Sequence, residues 1–201
     1  MANMAGDTWM ESYLKKKSTY RQPLTPHPSF MASALKNLSE YDDSNIPGAG
    51  EMTFGIVVAE WNPRVTHALY EGCYETLLKH GAKAENIHTM QVPGSFELPA
   101  GARLLAGKHN PDAVICLGCV IKGETSHNEY INHAVANGLV NLSIATGRPF
   151  IFGLLTTDNE EQALDRAGGK HGNKGVEAAV TAIRMAALKQ DSKEGKRKIG
   201  F

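Results

Sequence analysis

The most apolar of the strand-like segments is AVICLGCVI, residues 113–121, and it gives the clearest indication of the fold. It carries no charge and is rich in valine and isoleucine, which is typical of a strand buried on both faces of a parallel sheet. A polar segment, KGETSH at residues 122–127, follows it, and a helical pattern begins soon afterwards. We therefore predict a strand–loop–helix unit with polar side chains at the carboxyl end of the strand.

Similar strands and helices alternate on both sides of this stretch. The further predicted strands cover residues 54–59, 87–92 and 150–156, and the predicted helices cover 65–79, 97–108, 129–146, 159–167 and 174–189. This alternation predicts an α/β protein, a three-layer α/β/α sandwich with a flavodoxin-like four-stranded parallel sheet. In such sheets ligands bind beyond the carboxyl ends of the strands, so the loops after the four strands are candidates for the site.

Composition excludes several classes of protein. The 201 residues carry 21 basic and 21 acidic side chains, so we expect no general attraction for nucleic acid. No apolar run approaches the ~20 residues that span a membrane, and the N-terminus lacks the apolar segment of a secretory signal. We expect a cytoplasmic protein.

The three cysteines, Cys73, Cys116 and Cys119, are too few for a disulfide scaffold. Cys116 and Cys119 form a CxxC pair, which can indicate metal or redox chemistry. Both lie inside the apolar run rather than at a helix start, so we interpret them as buried reduced thiols.

Residues 1–50 differ in composition from the rest of the chain. They hold basic and acidic clusters and several prolines without a sustained apolar period, which predicts a mobile arm. We expect residues 1–30 to be dispensable for the fold, since Met31 opens a more ordinary segment. The catalytic domain is predicted at residues 51–190, and residues 191–201 form a C-terminal tail.

The first two loops offer groups for a flat polar ligand. Trp61 and Asn62 follow the first strand, and the tryptophan either stacks on a heterocycle or packs under a helix. The second loop carries Ser95, Phe96 and Glu97 after a Pro-Gly turn. Free N–H groups at the following helix start could bind a ligand, or Ser95 could serve only as a helix cap and Glu97 as a first-turn acid.

The loops after the third and fourth strands suit anions. Gly123, Thr125 and Ser126 precede a helix start and form a plausible anion nest, with His127 placed as a proton shuttle beside it. After the fourth strand, residues 166–175 (RAGGKHGNKG) resemble a phosphate-binding turn, although a solvated basic junction has the same composition. The order of residues is not that of a P-loop.

Five segments taken together resemble the lumazine synthase family over residues 52–189. They are GIVVAEWN (55–62), VPGSFELP (92–99), LGCVIKGETSH (117–127), FIFGLLTTD (150–158) and RAGGKHGNKG (166–175). The resemblance implies condensation of 5-amino-6-ribitylaminouracil with 3,4-dihydroxy-2-butanone 4-phosphate. It also implies no cofactor or metal, and an active site shared between subunits of a pentamer. Riboflavin synthase is the implied consumer of the product.

The resemblance also assigns roles to residues. It implies pyrimidine and ribityl binding by Trp61, Asn62, Ser95, Phe96, Glu97, Val120, Ile121, Phe152 and Lys174, phosphate binding by Glu124, Thr125, Ser126 and Arg166, catalysis by His127, and an accessory place for Lys170. Phe152 and Arg166 are expected to come from a neighbouring chain.

Two departures from the family pattern are visible. Asn128 follows the catalytic histidine where an aromatic residue is common, and the N-terminal arm is longer than usual. The short turn at 168–175 resembles that of family members that assemble twelve pentamers into a shell. We therefore expect either a pentamer or a 60-mer.

Two other functions fit the sequence. Archaeal-type riboflavin synthase shares the fold, but its reaction has less need of the complete basic turn at residues 166–175. A flavin-sequestering homologue without turnover is disfavoured because His127 and Arg166 are both retained.

Overall fold

A computed structural model describes residue 39 and residues 41–197, with side chains described to residue 192. The strands are β1 (Phe54–Ala59), β2 (Ile87–Val92), β3 (Ala113–Ile121), β4 (Phe150–Thr157), β5 (Ala167–Gly169) and β6 (Gly172–Asn173). The α-helices are α1 (Pro63–Lys79), α2 (Leu98–His109), α3 (His127–Thr146), α4 (Glu160–Asp165) and α5 (Lys174–Arg197). Short 3-10 turns cover Asp43–Asn45, Ala84–Asn86 and Ser95–Glu97.

Strands β1 to β4 form one parallel sheet in the order β2-β1-β3-β4. Helices α1 and α5 pack together on one face of this sheet, and α2 and α3 pack on the other. Every residue of β1 is buried, as is β3 up to Val120, because helices cover both faces. The predicted three-layer α/β/α sandwich is confirmed.

Several predicted boundaries need correction. Strands β1, β2 and β3 have the predicted bounds, whereas α1 and α3 each begin two residues before the predicted start. The helix predicted to start at Glu97 starts at Leu98, after the 3-10 turn. The final helix continues to Arg197, beyond the predicted end at residue 189.

The helix predicted to run to Ala167 ends at Asp165 instead. Residues 167–173 fold into a two-stranded antiparallel hairpin, β5–β6. Gly168 has φ +109° and Gly172 has φ +82°, a backbone region that other residues rarely adopt. These glycines therefore favour a hairpin over a continued helix.

The three cysteines are buried and free, as predicted. Cys116 and Cys119 lie three residues apart in β3, so their side chains point to opposite faces of the sheet. Burial raises the pKa of both Cys73 and Cys116, and burial together with Glu160 raises the pKa of Cys119 to about 11. The thiols are therefore protonated at neutral pH.

The described part of the arm contacts the C-terminal end of α1. Tyr41 Oη lies 3.2 Å from His80 Nε2, and Asp43 forms a 2.8 Å ion pair with Lys79. The backbone N–H of Ala49 donates to the carbonyl of His80 at 2.9 Å. The prediction for residues 1–30 and the end of the predicted tail, 198–201, lie outside the described residues.

Within the part of the chain that the structure describes, no helix combines the length and apolar character needed to cross a bilayer.

Candidate active site

A cleft of about 690 Å³ opens at the carboxyl ends of β1, β2 and β3 and at the start of α3. This is the edge where parallel α/β sheets bind ligands. The cleft brings together nine predicted site residues: Trp61, Asn62, Ser95, Phe96, Glu97, Val120, Ile121, Thr125 and His127. Gly123, Asn128 and Ile131 also line it.

Asn62 shapes the loop after β1. It has φ 60° and ψ 54°, a left-handed conformation that asparagine tolerates better than most residues. Its Nδ2 donates a 2.9 Å hydrogen bond to the carbonyl of Cys119, which lies beyond the last paired residues of β1 and β3. Asn62 thus extends the contact between the two strands and directs the loop over the cleft.

Trp61 projects into solvent at the mouth of the cleft. Its side chain is 71% exposed, so it does not pack beneath a helix of its own chain. An exposed indole that lines a cleft leaves an apolar face available for stacking on a flat ligand.

Ser95 places a hydroxyl group at the floor of the cleft. The residue is only 6% exposed, and its Oγ has no hydrogen-bond partner among the described residues. Ser95 does not cap α2, because Glu97 occupies the cap position and no side chain caps that helix. Leaving a buried hydroxyl unpaired costs about 1–3 kcal/mol, which a polar ligand atom could recover.

Room for this hydroxyl comes from a glycine in β3. A Cβ on Gly118 would lie 2.8 Å from Ser95 Oγ, too close for an undistorted structure. Phe96 and Glu97 follow in the same turn, and both are exposed at the cleft. The turn therefore presents a buried hydroxyl, a phenyl ring and a carboxylate side by side.

The start of α3 forms part of the cleft and offers groups that suit an anion. Ser126 is the N-cap residue but its side chain makes no capping hydrogen bond, so the first N–H groups of this helix remain open to a ligand. The helix runs for 20 residues, and its dipole favours an anion here. His127 is its first residue and lies exposed in the cleft, while Glu124 and Ser126 are exposed beside it without lining it.

Three predicted residues lie elsewhere in the same chain. Phe152 is on the edge strand β4 and is 39% exposed, and Arg166 and Lys174 flank the β5–β6 hairpin. None of the three lines the cleft of its own chain. The accessory Lys170 forms a 2.8 Å ion pair with Asp165.

Glu177, which the sequence analysis does not single out, contacts two of the predicted site residues. Its carboxylate lies 2.8 Å from Arg166 Nη1 and 3.0 Å from Lys174 Nζ. Burial alone would raise the pKa of Glu177, but hydrogen bonds from Arg166 and Lys174 outweigh burial and lower it. The spacing of Lys174 and Glu177, three residues apart at a helix start, was the available signal.

Not every glycine of the 166–175 turn serves a ligand. A Cβ on Gly175 would overlap the carbonyl oxygen of Leu69, so this glycine allows α5 to approach α1 closely. The described residues contain no group of three or more histidine, cysteine or acidic side chains arranged to hold a metal ion.

The sequence model of the 6,7-dimethyl-8-ribityllumazine synthase family matches residues 51–190 of this chain. A 6,7-dimethyl-8-ribityllumazine synthase of Cytophaga hutchinsonii is 58% identical over 157 residues, which is 78% of this chain and 98% of that protein. The corresponding protein of Parabacteroides distasonis is 57% identical over 155 residues, 77% of this chain and 97% of the relative. The corresponding protein of Porphyromonas gingivalis is 49% identical over 160 residues, which is 80% of this chain and 99% of that relative.

The family match covers the whole sheet domain, including the ends of β1, β2 and β3 that form the cleft. The chain therefore belongs to the 6,7-dimethyl-8-ribityllumazine synthase family.

Proposed function

We propose that this chain condenses 5-amino-6-ribitylaminouracil with 3,4-dihydroxy-2-butanone 4-phosphate to 6,7-dimethyl-8-ribityllumazine, releasing water and phosphate. The single observation that carries the proposal is the cleft itself. It combines an exposed indole at Trp61, a buried unpaired hydroxyl at Ser95 and a histidine at the start of a 20-residue helix. The indole suits a flat ring, the hydroxyl suits a polyol chain, and the helix start with its histidine suits a phosphate.

The pyrimidine ring stacks on Trp61 in this proposal. Backbone groups of Val120 and Ile121, at the end of β3, bond its polar edge, and Asn62 supports the loop. The ribityl hydroxyls reach Ser95 and Phe96 backbone groups and donate to the Glu97 carboxylate, because an ionised acceptor forms the stronger hydrogen bonds.

His127 carries the proton transfers. The 5-amino nitrogen attacks the ketone carbon, and His127 passes a proton from the amine to the hydroxyl that leaves as water, which gives an imine. A proton is then lost from C3, the hydroxyl-bearing carbon, and the electron pair of that C–H bond forms a C3–C4 double bond as phosphate leaves C4 with the electrons of its carbon–oxygen bond. Backbone N–H groups of residues 124–126 and the start of α3 hold this anion. The resulting enol takes up a proton at C4 and becomes a ketone at C3. The ribitylamino nitrogen attacks this ketone carbon, and a second water leaves as the ring closes.

Phe152, Arg166 and Lys174 complete the cleft of a neighbouring subunit. Phe152 lies on the edge strand β4, and Arg166 and Lys174 flank the β5–β6 hairpin, whereas the cleft is formed by the ends of the other three strands. One chain can complete the next only if subunits pack head-to-tail in a closed ring, which in this family is a pentamer. Arg166 contacts Glu177 and the His171 carbonyl through Nη1. Its Nη2 and Nε make no hydrogen bond with the described residues and are free to bind phosphate.

Helix α3 supports such a ring. Of its 20 residues only Val135 and Leu139 are buried, although the helix has many apolar residues. Tyr130, Val140 and Ile144 are 75%, 49% and 77% exposed. With His133 and Asn137 they follow the alternating three- and four-residue spacing of a helix–helix seam. An exposed stripe with three large hydrophobic side chains at this spacing supports a subunit interface.

A 60-mer of twelve pentamers is the larger assembly that we favour. The connection between β5 and β6 consists of Lys170 and His171 alone, without an inserted loop that would obstruct contacts between pentamers. Light scattering distinguishes a pentamer of about 109 kDa, five times 21.7 kDa, from a shell of about 1,300 kDa. A single species at the lower mass would reject the shell and retain the pentamer.

Turnover decides between the candidate activities. The purified protein is incubated with both substrates while lumazine fluorescence is followed, and separately with lumazine alone. Lumazine formation supports the proposed reaction. Riboflavin formed from lumazine alone would indicate a riboflavin synthase, and flavin binding without turnover a sequestering protein. In the cell we expect the enzyme to act in the cytoplasm and to supply riboflavin synthase.

A further inference from the structure

A serine from the N-terminal arm contacts the segment that carries Arg166. Ser39 Oγ accepts a 2.6 Å hydrogen bond from the N–H of Asn173 and lies 3.0 Å from the carbonyl of the same residue, to which it can donate. The same hydroxyl lies 3.4 Å from Glu177 Oε1. This is the carboxylate oxygen that Arg166 Nη1 contacts at 2.8 Å. The arm therefore reaches the group that holds Arg166.

Asn173 is held from its other side by the body of the protein. Its Nδ2 donates to the carbonyl of Ala68 in α1 at 2.9 Å, and its Oδ1 accepts from the N–H of Gly175 at 2.7 Å. A Cβ on Gly72 would lie 2.6 Å from Asn173 Nδ2, so α1 carries a glycine where this side chain crosses it. The Asn173 side chain is thus anchored to two helices, and Ser39 anchors its backbone.

The side chains around Glu177 carry one positive charge more than they carry negative charge, and this extra charge is available to an anion. One carboxylate faces the two cations Arg166 and Lys174, and its side chain is 21% exposed. The lowered pKa of Glu177 keeps the carboxylate ionised at neutral pH. The direction in which Arg166 points therefore depends on where Glu177 is held, and Ser39 contacts both Glu177 and the residue that precedes α5.

We propose that Ser39 is a positioning residue of the phosphate subsite. It fixes Asn173 and Glu177 so that Arg166 faces the phosphate of the four-carbon substrate in the neighbouring subunit. This inference rests on the phosphate-binding role proposed above for Arg166. The arm thus contributes to substrate binding through a residue that lies after residues 1–30.

Kinetics on the full-length protein tests the inference. Ser39→Ala is expected to raise the KM for 3,4-dihydroxy-2-butanone 4-phosphate about three- to tenfold, the range expected for one lost hydrogen bond. The inhibition constant for inorganic phosphate should rise by a similar factor, while kcat and the KM for the pyrimidine stay unchanged. Ser39→Thr keeps a hydroxyl and should restore the phosphate parameters.

Ser44→Ala is the matched control in the same arm. Ser44 is exposed, and its hydroxyl donates to Asp42 at 2.7 Å, away from Arg166. Arg166→Ala is measured in parallel. If Arg166→Ala handles the phosphate substrate normally, the proposed role of Arg166 fails. If Arg166→Ala is impaired but Ser39→Ala behaves like Ser44→Ala, or changes only stability or assembly, the inference about Ser39 is overturned.

Discussion

Comparing alanine with glycine at position 62 separates two contributions of Asn62 to the stability of the loop that carries Trp61. The substitution removes the 2.9 Å hydrogen bond from Nδ2 to the Cys119 carbonyl. It also places alanine at φ 60° and ψ 54°, where a Cβ is unfavourable unless the side chain is asparagine-like. Asn62→Gly removes the same hydrogen bond but accepts this backbone conformation.

The two variants should therefore differ in stability. A buried carbonyl left without its donor costs about 1–3 kcal/mol, and this applies to both variants. The left-handed conformation adds about 1–2 kcal/mol for alanine. We expect Asn62→Gly to lose about 1–3 kcal/mol of unfolding free energy, and Asn62→Ala about 2–5 kcal/mol.

Urea unfolding at one fixed protomer concentration measures these differences, since the apparent stability of an oligomer depends on concentration. The KM for the pyrimidine should rise in both variants, and more in Asn62→Ala, because Trp61 loses its support. Equal stability of the two variants would show that the backbone conformation at Asn62 carries no strain. Wild-type stability of both would refute the role of the Cys119 contact.

Four further outcomes are expected. His127→Ala should lower kcat by about 10²–10⁴-fold in a folded protein, and a wild-type rate would discard its proton-transfer role. Arg166→Lys keeps the charge but loses the planar fork, so the KM for the phosphate substrate should rise while pyrimidine binding, measured by titration, is spared. Burial, then the stacked His109 at 3.9 Å and Lys108, lower the pKa of His88 below 6.5. The unfolded chain thus binds more protons below this pH, so the wild type should lose stability as the pH falls from 6.5, and His88→Gln should flatten this part of the urea-midpoint profile. Deleting residues 1–30 should leave the number of subunits and the turnover unchanged, and collapse of the oligomer would show that this segment is structural.

The central strands could be predicted from local sequence because a strand buried on both faces is a continuous apolar run, which is visible without the tertiary structure. The apolar runs at 54–59 and 113–121 have the bounds that the structure shows. The rule that parallel sheets bind ligands at their carboxyl ends predicts that Trp61, Ser95 and His127 lie in one region, and all three line the cleft.

Local sequence pattern predicted element boundaries less accurately where the chain reverses direction, because the reversal depends on the backbone conformation of single residues. The helix predicted through Ala167 ends at Asp165, because helical composition continues into a segment whose glycines adopt positive φ. The composition of residues 166–175 predicts either a phosphate-binding turn or a solvated basic junction, and neither prediction includes the role of Gly175, which lets α5 approach α1. A glycine shows that a Cβ is absent but not which neighbour requires its absence.

Local sequence pattern therefore predicts the layers of this protein, the bounds of β1, β2 and β3, and the edge of the sheet that forms the cleft. Only the tertiary structure decided the strand order β2-β1-β3-β4, the contact of Asn62 with Cys119, and the pairing of Arg166 with Glu177 and through it with Ser39. Periodicity reports how a residue faces the core, because burial repeats with the strand or helix. It carries no information about which polar group, such as one 138 residues away in the case of Ser39 and Glu177, completes a hydrogen bond across the fold.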